Sequence, residues 1–165
     1  MRILLSVLVI AVSSFAANAQ SKSRLAENFS AATMDGKTVE LTSLKGKVVL
    51  LAFWTTRCPI CQSEIPRLNR MAAAYSGKDV VFLGATTDDE RNVKSYVQFN
   101  PFNFDLLPNS FGLLLKYAER DRDGNLNFGY PAYVLINKAG EIEYRANGWD
   151  KVKPLDSAIT KLIAK

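Results

Sequence analysis

Two cysteines, Cys58 and Cys61, stand three positions apart in the run Trp54-Thr55-Thr56-Arg57-Cys58-Pro59-Ile60-Cys61, and the 165-residue chain contains no histidine. The missing imidazole removes the commonest general base and metal ligand, which leaves the thiols as the chemistry to explain. Cys-x-x-Cys at the start of a helix has a definite physical meaning. The helix N-terminus carries about half a positive charge and unpaired N–H groups, both of which stabilise a thiolate. Cys58 is expected at the exposed lip, with a pKa below its ordinary value of about 8.5, and Cys61 one turn inside. Pro59 suits the first helical turn, where its missing N–H is not needed. The spacing lets the sulfurs close a disulfide or open to a dithiol with little backbone motion.

Other uses of the pair compete with redox exchange. A structural disulfide would close a loop of about four residues and contribute about 2 kcal/mol, whereas structural bridges usually join distant segments. A zinc or copper site lacks ligands, because there are no further cysteines and no histidines. Haem attachment needs histidine after the second cysteine, and position 62 is Gln62. Redox exchange is the expected chemistry, with neither cofactor nor metal.

The elements that must position this pair are legible as periodicities. Val48 to Phe53 is an apolar run without alternation, as in a central strand buried on both faces. Pro59 to Tyr75 repeats Ile65, Leu68, Met71, Ala72 and Tyr75 at helical steps and stops at Ser76-Gly77. Val80 to Ala85 is a second buried strand, and Asp88 to Phe99 a helix with acids in its first turn. Asp35-Gly36 centres a hairpin over 28–41, and a second hairpin joins Ala132–Ile136 to Glu141–Ala146. Between them lie an irregular aromatic-rich stretch (100–109), a short helix from Ser110 to Ala118 capped by Ser110, and a charged loop from Glu119 to Phe128. Val152 to Ala164 closes the chain as a helix. The fold class is α/β, a mixed central sheet with helices on both faces and an N-terminal β-hairpin extension.

The chain over 28–165 resembles the exported thioredoxin-fold thiol:disulfide oxidoreductases of the TlpA/ResA type. The residues that carry the likeness are Lys45-Gly46-Lys47-Val48-Val49-Leu50, then Phe53-Trp54 through Cys58-Pro59-Ile60-Cys61 and Glu64-Ile65-Pro66, and finally Gly129-Tyr130-Pro131-Ala132-Tyr133-Val134-Leu135-Ile136. The resemblance implies that Cys58 is the nucleophile that attacks the partner and Cys61 resolves the mixed disulfide. It implies a cis bond at Tyr130–Pro131 and a Pro131 loop that docks the partner's backbone. Without it, Pro131 reads as an ordinary proline at a strand start. Trp54 reads either as a lid beside the disulfide, touching substrate, or as a core aromatic. Glu64 matches the family's active-site glutamate and reads as a possible proton acceptor for Cys61, or else as a solvated acid in an early helical turn. Two departures from the family stand out: the Pro-Ile dipeptide between the cysteines, and the long charged stretch over 119–128.

Composition bounds the rest. With 48% hydrophobic and 22% charged residues, one ordinary hydrophobic core is expected. Lys plus Arg is 21 against 16 for Asp plus Glu, a scattered excess without a basic run that argues against nucleic acid. Residues 1–19 read as a signal peptide: Met1-Arg2, an apolar run from Ile3 to Val12, and Ala17-Asn18-Ala19 before the cut. An uncleaved membrane anchor is the other reading of that segment. Residues 20–27 read as a polar leader. The expected protein is exported, periplasmic and soluble. It exchanges electrons with protein thiols and disulfides, and a membrane electron donor recharges it if it is a reductant of cytochrome or metalloprotein thiols. A thiol peroxidase using Cys58 with Cys61 resolving is the alternative, since Thr55-x-x-Cys58 has peroxidase spacing. Against that, Cys61 lies one turn along the same helix, and no distal activating arginine can be identified. A metallochaperone is disfavoured by the lack of histidine and of nearby methionines.

Overall fold

The computed structural model describes residues 24–120 and 122–164; residues 1–19, read above as a signal peptide, and residues 20–23 of the segment read as a polar leader lie outside the described residues. Arg24–Leu25 (β1) pairs with Ile142 and Glu141, and Ala26 is buried. The hairpin follows as Ser30–Ala32 (β2) and Thr38–Glu40 (β3), with Gly36 at φ 79° supplying the left-handed turn residue. Val48–Trp54 (β4) is buried at all seven positions. Pro59–Ala74 (α1) continues through Pro66, and Val80–Thr86 (β5) returns parallel to β4.

Glu90–Val97 (α2) is capped by Asp89, whose carboxylate accepts the Asn92 N–H at 2.8 Å. The aromatic-rich stretch is only partly irregular. It contains a strand, Asp105–Leu107 (β6), parallel to β5. Phe111–Tyr117 (α3) begins after Ser110, but the Ser110 hydroxyl donates back to the Leu107 carbonyl at 3.0 Å and makes no cap bond. The charged loop is a small hairpin, Glu119–Arg120 (β7) with Leu126–Asn127 (β8), turning at Gly124. Ala132–Ile136 (β9), Glu141–Asn147 (β10) and Lys153–Ile163 (α4) complete the chain as expected.

The sheet has the order β1-β10-β9-β4-β5-β6, with β4, β5 and β6 parallel and the other three joined by antiparallel pairs. Strand alternation splits the core between its two faces. Val49, Leu51 and Phe53 of β4 and Ala132, Val134 and Ile136 of β9 face one cluster, covered by Leu113, Leu114 and Tyr117 of α3 and by Phe29 and Leu41. Val48, Leu50, Ala52, Tyr133 and Leu135 face the other, covered by Leu68 and Met71 of α1 and Leu155, Ile159 and Leu162 of α4. Both strands that lead to the site are thus held from above and below.

Gly84, in the middle of β5, is fixed by this packing. A Cβ there would lie 2.6 Å from Leu106 Cδ2, 3.1 Å from the Phe104 ring and 3.2 Å from Trp54 Nε1. Gly84→Ala should therefore destabilise the domain by about 1–3 kcal/mol, the usual cost of overpacking a core. Urea unfolding measures it, and an unchanged midpoint would show that these side chains move aside.

Candidate active site

β4 drives straight into a tight turn, Thr55-Thr56-Arg57, and the chain enters α1 with Cys58 at the N-cap. The backbone there is extended, at φ −100° and ψ 102°. The Cys58 sulfur takes the place of a capping oxygen, accepting the Cys61 N–H at 3.1 Å. Cys58 and Cys61 form a disulfide. Cys58 is 8% exposed and Cys61 2%: the order of accessibility is the expected one, but Cys58 is itself buried and not at an exposed lip, because the disulfide packs into the cluster around Trp54.

The turn before Cys58 is held from outside α1. Asp88, after β5, accepts the Thr56 N–H at 2.6 Å and the Thr55 hydroxyl at 3.0 Å. Burial pushes the Asp88 carboxyl up, but these hydrogen bonds outweigh it and leave it below its ordinary value. The Thr55 hydroxyl is committed to Asp88. Sequence reasoning placed Asp88 only as an acid at a helix start; nothing local shows that it reaches back to a turn more than thirty residues earlier.

Trp54 is no lid. It is 3% exposed and forms the floor beneath the disulfide, in one cluster with Cys58, Cys61, Val93 and Leu106. Its ring lies 4.7 Å from that of Phe102 and 5.3 Å from that of Tyr96. Aromatic neighbours brought from α2 and the loop before β6 hold it down, and the sequence position alone could not reveal them.

Pro131 closes the other side, following a cis Tyr130–Pro131 peptide. It is buried, and it shares with Cys61, Trp54 and Tyr133 the wall of an apolar cavity of about 10 Å³. The Pro131 carbonyl accepts the Gly148 N–H at 2.8 Å. Tyr130 is half-buried, its ring 5.5 Å from Phe128 and its hydroxyl 3.5 Å from the Thr87 hydroxyl.

Glu64 is 6% exposed, so it is not a solvated acid. Its Oε2 accepts a hydrogen bond from the buried Tyr133 hydroxyl, and its Oε1 accepts the Asp150 N–H at 2.8 Å. Burial first, and then the bond to Glu64, push the Tyr133 hydroxyl far above its usual range, so it remains a donor. Tyr133 was missed at the sequence level. The available signal was one hydroxyl in an otherwise apolar buried strand, which must find a partner.

A buried strand that ends in a sulfur-capped helix, with a proline strand across from it, defines a thioredoxin-fold thiol:disulfide oxidoreductase. The chain belongs to the AhpC/TSA family, which it matches over residues 23–145, and within it to the TlpA/ResA-like proteins. It is 29% identical over 139 residues to a thiol-disulfide oxidoreductase ResA of Bacillus cereus, covering 83% of this chain and 76% of that one. It is 30% identical over 118 residues to the thioredoxin-like protein YneN of Bacillus subtilis, covering 72% and 66%. Its fold superposes with a TM-score of 0.75 on the thiol:disulfide interchange protein of Chlorobium tepidum, at 25% identity, over 88% of this chain and 99% of that one.

Two measurements check the supports of the site. Tyr133→Phe removes a donor from a buried carboxylate and should cost about 1–3 kcal/mol of stability in urea unfolding. Asp88 carries a pH signature. Its carboxyl is depressed in the folded state, so its contribution is present above about pH 4 and fades as the pH falls through the folded value. The stability gap between wild type and Asp88→Asn should be widest near neutral pH and close on acidification. A gap that is constant down to about pH 2 would show that Asp88 is not the depressed group.

Proposed function

We propose that the protein is an exported reductant of protein disulfides, with Cys58 as nucleophile and Cys61 as resolving thiol. The observation that carries this reading is the Cys58 sulfur at the N-cap of α1, accepting the Cys61 N–H at 3.1 Å. A sulfur in that position faces the positive end of the helix and develops negative charge at low cost. Cys61 is the less exposed of the two, within an apolar cluster, which suits the thiol that reacts second.

In the reductive direction, the Cys58 thiolate attacks one sulfur of the partner's disulfide and expels the other as a thiolate. Cys61 then gives up its proton, to Glu64 in our reading, and attacks the Cys58 sulfur. The second partner thiolate leaves, and Cys58–Cys61 becomes the disulfide. Two electrons pass from the dithiol to the partner, and the proton from Cys61 ends on a released thiol. A membrane-bound dithiol donor returns the electrons. The Pro131 segment, beside the sulfurs, would hold the partner's extended backbone, with Tyr130 at its edge. The likeness to the TlpA/ResA type supports the direction and the partner class, thiols of cytochrome or other metalloproteins. Export rests on the sequence pattern of residues 1–19. A peroxidase role is less well supported, because the Thr55 hydroxyl is bonded to Asp88.

Two experiments decide. Cys61→Ser should accumulate mixed disulfides with partner proteins, and Cys58→Ser should accumulate few; equal trapping would sink the assignment. The potential of the pair, equilibrated with glutathione, should fall near thioredoxin's, about −270 mV, and a value near about −120 mV would make the protein an oxidant. Rapid consumption of hydrogen peroxide without insulin reduction would favour the peroxidase.

A further inference from the structure

Three residues after β10 stand out on the surface beside the site. Gly148, at φ 85°, donates its N–H to the Pro131 carbonyl at 2.8 Å. Asp150, at φ 59°, donates its N–H to Glu64 Oε1 at 2.8 Å. Its carboxylate pairs with Lys153 at 2.9 Å and Arg67 at 3.7 Å. Left-handed backbone is easy for glycine but costs free energy at Asp150, and these bonds hold it there. Trp149, between the two clamped residues, is 63% exposed. An indole of that size in water contributes little to the fold, yet its backbone is fixed to the two segments that carry the site.

A second apolar side chain lies on the same side. Ile60, between the cysteines, is 36% exposed and precedes Glu64 by four residues, which places both on one face of α1. Glu64 is the residue that Asp150 grips, so Ile60 lies one turn nearer the sulfurs along the face against which the Trp149 loop is docked. The acids nearby are already engaged, Asp88 by the Thr55 hydroxyl and Thr56 N–H, and two cations are not. Arg57, next to Cys58, and Lys151, next to the loop, are exposed, and neither has an ion pair among the described residues. The charge of Asp150 is met by Arg67 and Lys153.

We propose that Trp149 is a specificity-determining residue of disulfide exchange, packing on an apolar side chain next to the partner's cysteine while Arg57 and Lys151 favour acidic residues in the same extended segment. This rests on the exchange reading above. A rigid, pre-placed indole offers large contact area at low entropic cost, the usual character of an anchor residue. Rim charges add selectivity and speed of encounter, and their effect falls with salt.

The test uses two peptides, each with one cysteine capped as a mixed disulfide with glutathione. One places leucine beside the cysteine and aspartates further out; the other has glycine and lysines. Each turnover oxidises the Cys58/Cys61 dithiol and releases the peptide thiol and glutathione. Rates are normalised to those with dithiothreitol, which cancels the intrinsic reactivity of the peptides. The wild type should prefer the leucine peptide by about tenfold or more, Trp149→Ala should cut that ratio about tenfold, and Trp149→Phe should keep most of it. No preference in the wild type, or one common factor of slowing for both peptides in Trp149→Ala, overturns the proposal. A wild-type dimer that dissociates in Trp149→Ala assigns the face to a second copy of the chain and also overturns it. Reduction of glutathione disulfide by the wild type separates the two levels. An inert protein overturns the exchange reading itself, whereas an active protein blind to the peptides overturns only the role of Trp149.

Discussion

The Cys61 N–H points at the Cys58 sulfur from 3.1 Å, and the rest of the domain holds that geometry in place. The first N–H groups of α1 have no helical partner, so whatever caps them feels both a donor and the positive end of the helix. A capping oxygen would use this for stability; a capping sulfur uses it for reactivity. The advantage lasts only while the sulfur cannot move away, and that falls to β4. Its residues pair with β5 in parallel and with β9 in antiparallel register, and no position of the strand meets solvent. Asp88 removes the remaining freedom by holding the turn between β4 and α1.

A second constraint crosses the first. Glu64 is a charged side chain within the core, and burying it is tolerable only because both of its oxygens receive hydrogen bonds. Those donors come from β9 and from the loop after β10, so one carboxylate ties three distant stretches of chain together around the sulfurs. The Gly148–Pro131 bond adds a third link among the same stretches. Helix, proline strand and Trp149 loop therefore hold one relative arrangement, as an exchange reaction needing in-line approach of three sulfurs requires.

What the sequence revealed followed from local pattern. The run Val48–Phe53, the Asp35-Gly36 turn, the helical spacing after Pro59 and the cysteine pair each carry their own signal within a few residues. What it hid depends on partners far along the chain. Asp105–Leu107 is a strand because β5 pairs with it, and Arg120 and Leu126 are strand residues because they meet each other. A three-residue or two-residue element has too few positions to show a period. The same holds within the site. Both cysteines were evident, while Asp88 and Tyr133 matter through bonds to residues that no window includes. Trp54 illustrates the remaining ambiguity: its place between strand and site pointed to a lid, and the arrival of Tyr96 and Phe102 makes it a floor.

The floor also makes the surroundings of the two sulfurs unlike. Cys61 lies among Trp54, Leu68, Phe102 and Phe104 around a cavity too small and too apolar to suit ordered water. Cys58 shares the apolar floor but has the Cys61 N–H at its side and, at 8% exposed, lies slightly nearer the surface. One helix start therefore gives its two sulfurs unlike surroundings within a single turn. In the exchange proposed above, the deeper sulfur is the one that resolves the mixed disulfide, and the reading rests on that difference in depth.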